Sequence, residues 1–162
     1  MNAPSTLLSR QSQRLLQVGV ALALYSSFDG FAIPYLGSPR IGLSVHTLSA
    51  YQAVFLLTQG LLWPRLKLSV VASKVAFWCS IHGTLAILAA YTIAAIGGFG
   101  IETISLMGEL PRGLSHGTRF QENTIKVLAY SSAPTGLICF SLILWGLRSS
   151  AIGDRDVPDQ TG

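Results

Sequence analysis

The chain has 162 residues, 50% of them hydrophobic and 11% charged, against about 25% charge in an ordinary soluble domain. That is more apolar residue than one small core needs, and a bilayer accommodates it. The net charge of +4 does not point to nucleic acid, because no dense Lys/Arg run exists and the basic residues flank the apolar stretches.

Residues 1–14 are polar up to Arg14. The first apolar segment then runs from about Leu15 to Tyr35, contains the acid Asp29 and ends near Pro34. No small-residue cleavage motif follows it, so it is predicted to stay in the mature protein. A tight turn, Gly37-Ser38-Pro39-Arg40, leads to a second segment from about Leu43 to Leu62 with no formal charge. Trp63-Pro64-Arg65-Leu66-Lys67 begins the next connection, and a third segment from about Val75 to Ile96 closes on Gly97-Gly98. The longest connection, about Gly97 to Thr124, holds Glu102, Glu109, Arg112, His116, Arg119 and Glu122. Loops of this length are often functional. The fourth segment runs from about Ile125 to Leu147, with Lys126 at its entrance and Pro134 inside, a position that neighbouring membrane helices can tolerate.

At 1.5 Å per residue each segment can cross a hydrocarbon core of about 30 Å. The expectation is an all-α integral membrane four-helix bundle over residues 15–148, with a disordered polar tail at 149–162. Arg10, Arg14, Arg65, Lys67, Lys74, Arg148 and Arg155 fall on one side. Arg40, Arg112, Arg119 and Lys126 fall on the other. The excess places both termini in the cytoplasm. Cys79 and Cys139 lie in apolar segments without a CxxC spacing and read as small buried hydrophobes.

Polar side chains at membrane depth are costly and mark candidate sites. Counted by helical rise from the outer ends, His46 lies roughly 5 Å deep, Tyr91 8 Å, Asp29 9 Å and Gln52 14 Å. With Tyr51, His116, Glu122 and Lys126 they would make one polar pocket in the outer half, provided those helix faces converge. Structural alternatives stand beside each: an interhelical hydrogen bond for His46 or Gln52, an aromatic belt for Tyr91, an ion pair of Asp29 with Lys126, and a solvated loop for His116 and Glu122. His82 lies in the inner half of its helix, about 15 Å from the depth of His46. That separation argues against a single group ligated by both histidines within one chain.

Several runs resemble the hydroxylaminobenzene mutases: Gly30-Phe31-Ala32-Ile33-Pro34, Ser38 through His46, Phe55-Leu56-Leu57, and Gly60 through Ser69. Gly83-Thr84, His116-Gly117-Thr118, Gln121-Glu122, Ile125-Lys126 and Leu144 through Arg148 continue the resemblance in family order, so that it covers roughly residues 14 to 148. It implies a small bacterial inner-membrane enzyme that moves a hydroxyl from the nitrogen of an aryl hydroxylamine to its ring. The chain is similar also to the styrene oxide isomerases, four-helix membrane proteins that bind haem b and isomerise an epoxide to an aldehyde. That similarity implies His46 as haem-iron ligand, Gln52 and Tyr91 as the residues that help the substrate, and a homotrimer as the assembly. The chain departs from the usual mutase pattern at Ser49, Gln52, Ala53, Leu85 and Ile87. Three functional classes follow: the mutase, with epoxide isomerisation as its variant; a non-catalytic haem- or small-molecule-binding membrane protein; and a small transporter or assembly subunit with Asp29 and Lys126 in an ion path.

Overall fold

The computed structural model describes residues 3–104 and 115–153. Five helices account for nearly all of them: α1 (Ala3–Ala32), α2 (Pro39–Leu62), α3 (Val70–Gly97), the single turn α4 (Ile101–Ile104) and α5 (Arg119–Gly153). No strand occurs among the described residues, so the all-α expectation holds. Four helices are long and apolar enough to cross a membrane: Thr6–Tyr35, Pro39–Arg65, Val70–Gly97 and Arg119–Arg148. Their lipid-facing character shows in the large apolar side chains left outside, such as Phe28 and Trp145, each 71% exposed. Water would disfavour such a surface and hydrocarbon would not.

α1 packs along α2 and α3 along α5, and the two pairs join chiefly through α2 and α3. The breaks between helices have local causes. Pro34 and Pro64 each sit in a one-turn 3₁₀ segment, Ile33–Tyr35 and Trp63–Arg65, because proline cannot continue the preceding hydrogen-bond ladder. Pro39 opens α2, where its missing N–H is not needed. Ser69 caps α3 by accepting the Ala72 N–H at 3.2 Å. α3 stops at Gly98, which takes a left-handed φ of 63° and so lets the chain turn away. Gly60 lets α1 and α2 touch: a Cβ there would fall 2.8 Å from the Leu16 side chain.

The helices are longer than the apolar runs. α1 begins at Ala3, twelve residues before the predicted start at Leu15, and two of the polar side chains ahead of Leu15, Gln11 and Ser12, are buried. The Trp63 indole N–H donates to Gln11 Oε1 at 3.0 Å, Gln11 Nε2 reaches the Ser73 carbonyl at 3.4 Å, and Ser12 Oγ donates to the Gly60 carbonyl at 2.7 Å. Buried Trp63 thus anchors the far end of the bundle, where Leu15 and Leu56 are also fully buried. α5 likewise starts at Arg119 and runs through Gly153, beyond the predicted Ile125 and Leu147. The expected disordered tail falls, from residue 154 on, outside the described residues, as do Glu109 and Arg112 of the long connection.

Candidate functional site

His46 lies on the face of α2 that meets α1. Its Nδ1 stands 2.7 Å from Asp29 Oδ1, and since an ionised carboxylate only accepts, the ring donates. Ser49 Oγ approaches the other oxygen, Asp29 Oδ2, at 3.3 Å and the His46 carbonyl at 2.9 Å. Ser26 Oγ donates to that same carbonyl at 3.1 Å. The ring rests against Gly30, where a Cβ would come within 3.4 Å of Cε1. The carboxylate is the buried member, with 11% of its side chain exposed against 40% for the imidazole. Nε2 makes no hydrogen bond among the described residues. Asp29 therefore turns to His46 and Ser49, and not to Lys126, which is exposed on α5.

Gln52 faces elsewhere. Six residues at about 100° each place it roughly 120° around α2 from His46. It borders a half-open cavity of about 190 Å³ between α2, α3 and α5. Phe55 and Phe140, 5.0 Å apart by ring centroid, form an aromatic wall. Thr84 and Ser80 supply hydroxyls, Cys79 and Cys139 thiols, and Gly83 and Gly136 floor space. Thr84 Oγ1 donates to Gln52 Oε1 at 3.2 Å, which leaves the Gln52 amide N–H groups for something else. Below it Gln59 accepts from Ser80 Oγ and reaches Cys139 Sγ at 3.6 Å.

Tyr91 and Tyr51 border a shallower groove between α2 and α3. Tyr51 and Ile87 line both that groove and the cavity, so the two adjoin. Tyr91 also faces a cleft against α5 that Ile87 shares. Glu122 belongs to neither space. It is buried, and its carboxylate accepts the backbone N–H groups of Gly100 (2.9 Å), Gly117 (3.0 Å) and Glu102 (3.4 Å). It ties the long connection to the start of α5. His116 is exposed beside it, and His82 bonds Ser131 Oγ of α5 at 3.1 Å.

The single polar pocket expected in the outer half is therefore not what forms. The candidates divide into a charged cluster on the α1–α2 seam, a neutral cavity at α2–α3–α5, and a loop anchor. The rotation of α2 separates them, since lying in the same half of the bilayer does not mean a shared face. Sequence reasoning passed over Ser49, Gln59, Ser80 and Cys139 as site residues. A signal for some of them exists: Gln52 and Gln59 are seven apart on one face of α2, and Ser80 and Thr84 four apart on the facing side of α3.

The profile of the styrene oxide isomerase family matches residues 11–148. Hydroxylaminobenzene mutase HabB of Ectopseudomonas oleovorans is 38% identical over 148 residues, 91% of this chain and 88% of its own. Hydroxylaminobenzene mutase HabA of the same organism is 27% identical over 133 residues, 82% of this chain and 96% of its own. No solved structure matches the chain. The resemblance read from the residues is borne out by these matches.

Proposed function

Because the chain belongs to the styrene oxide isomerase family, a family of isomerases, we propose that it is a multi-pass mutase that converts an aryl hydroxylamine to an aminophenol. The observation that carries this reading is the mutase HabB, whose likeness extends over 91% of the chain and includes every segment that lines the cavity. The reaction is a rearrangement: the N–O bond breaks, a ring C–O bond forms, and the ring proton displaced by oxygen is replaced by one on nitrogen.

The cavity suits one aromatic ring. An apolar cavity of about 150 Å³ holds benzene, and this one is of that order, at about 190 Å³. Phe55 and Phe140 would hold the ring face. The Gln52 amide, its carbonyl already engaged by Thr84, would donate to the migrating oxygen and hold it within reach of the ring carbon. Tyr91 would enter from the adjoining groove as a second donor. Exclusion of bulk water keeps a solvent oxygen from competing.

Haem b is part of the proposal. Among the described residues no three His, Cys, Asp or Glu side chains converge on one point. A haem would ask this chain for one imidazole nitrogen. His46, half-exposed with Nε2 uncommitted, meets that demand. When bound, ferric haem would supply a Lewis acid that weakens the N–O bond. The assembly would be a homotrimer, as the similarity to the styrene oxide isomerases implies. The assembly would lie in the bacterial inner membrane with both termini cytoplasmic, where small aromatic substrates partition from the bilayer.

The test is direct. Protein purified in mild detergent is expected to show a Soret band and to form aminophenol from phenylhydroxylamine. Folded protein that yields no aminophenol overturns the mutase reading, and product without haem overturns the haem part alone. The matched family profile favours a second reading, epoxide-to-aldehyde isomerisation, for which an aryl epoxide is the substrate to add next.

A further inference from the structure

We propose that Asp29, braced by Ser49, is the positioning residue of the His46 centre: it sets which ring nitrogen is offered, aims it, and holds the bound iron in its ferric state. The inference rests on the haem reading above and concerns residues of this chain alone.

A membrane-depth carboxylate demands an account. A charge there is costly, so such groups are paired or functional. The described residues give Asp29 one imidazole donor, His46, at 2.7 Å, and one further donor, Ser49, at 3.3 Å. Both carboxylate oxygens are thus engaged. The orientation is over-determined: the Nδ1–Asp29 bond fixes the ring's rotation, Gly30 bounds its edge, and Ser26 fixes the carbonyl of the same residue. A merely structural interhelical bond would need one of these contacts and not all of them.

The chemical consequence is definite. With its proton on Nδ1, the ring presents a lone pair at Nε2, the nitrogen without a hydrogen bond among the described residues. A carboxylate behind a ligating imidazole fixes its tautomer and raises its basicity, and loss of such a partner typically costs about 10- to 100-fold in metal affinity. Ferric haem carries one more positive charge than ferrous haem, so an adjacent anion favours the ferric form. That is the state a non-redox Lewis acid requires.

Haemin titration of the apoprotein in detergent, followed by spectroelectrochemistry and resonance Raman spectroscopy, tests this. Asp29→Asn is expected to bind ferric haem about 10- to 100-fold more weakly. Its reduction potential should rise, each tenfold loss of ferric preference appearing as about 59 mV. Its iron–histidine stretching band should fall in frequency. Asp29→Glu keeps the charge and should restore most of the potential, whereas Ser49→Ala should move all three readouts the same way by a smaller factor. If Asp29→Asn does not accumulate as folded protein, these two variants carry the measurement. A wild type that binds haem through His46, with potential and Raman band unmoved in the variants, overturns this inference and leaves the haem reading intact. A wild type that binds no haem overturns both.

Discussion

The α1–α2 seam and the α2–α3–α5 cavity share one helix and almost nothing else. In the seam, a carboxylate, an imidazole and two serines are bonded to one another, and the ring is left half open. In the cavity no formal charge is present; aromatic rings border an amide, the hydroxyls of Ser80, Thr84 and Ser132, and two thiols. The difference teaches how a membrane bundle divides its polar groups. A charged group is tolerable at depth when its neighbours satisfy it. A neutral aromatic needs the opposite, a dry space with few dipoles of fixed direction. On the proposed reading, the seam would hold the cofactor and the cavity the substrate.

That division can be broken by experiment. The largest effect is expected for His46→Ala, which should abolish the Soret band and bring turnover to background while leaving the helical circular dichroism in place. Unchanged haem content would remove the seam's assigned role. Next comes Gln52→Leu, which deletes the cavity's central donor without adding bulk. Product formation from phenylhydroxylamine should fall about 100- to 1,000-fold, the usual cost of one transition-state donor, with the haem spectrum unaltered. If Gln52→Leu instead strips the haem, the two regions are one site and the comparison fails.

Smaller effects sharpen it by marking what belongs to neither region. Glu122→Gln weakens a carboxylate that accepts three backbone N–H groups. A loss of about 1–3 kcal/mol is expected, read as a lower thermal midpoint and faster amide exchange at Gly100 and Gly117, with haem affinity unchanged. Trp63→Phe removes the indole donor to Gln11 at the opposite end of the bundle. It should cost about 1 kcal/mol, visible in thermal unfolding, and leave both haem content and turnover as they were.

How legible was this? The four spans were plain, because burying so much apolar residue in about 20-residue blocks leaves few solutions. Their ends were not. The polar turns of α1 before Leu15 looked like a solvated leader, yet Gln11 and Ser12 are buried because Trp63, Gly60 and Ser73 complete their hydrogen bonds. Such satisfaction depends on partners some 50 or 60 residues away, which no local pattern displays. Asp29 was noticed as an intramembrane acid, but Lys126 was considered for its partner, and the structure chose His46.

Taken alone, the sequence determined the fold class, the number of membrane crossings and the kinship with membrane mutases, since hydropathy and segment order are properties of the chain itself. It also singled out the polar residues at depth, because their cost is independent of packing. Which of them meet was decided only by the tertiary structure. Helix rotation and the close approach of α1 to α2 place His46 against Asp29 and turn Gln52 toward Thr84. The physical reason is that rise along a helix fixes depth, whereas the face a residue presents acquires meaning only from the helix packed against it.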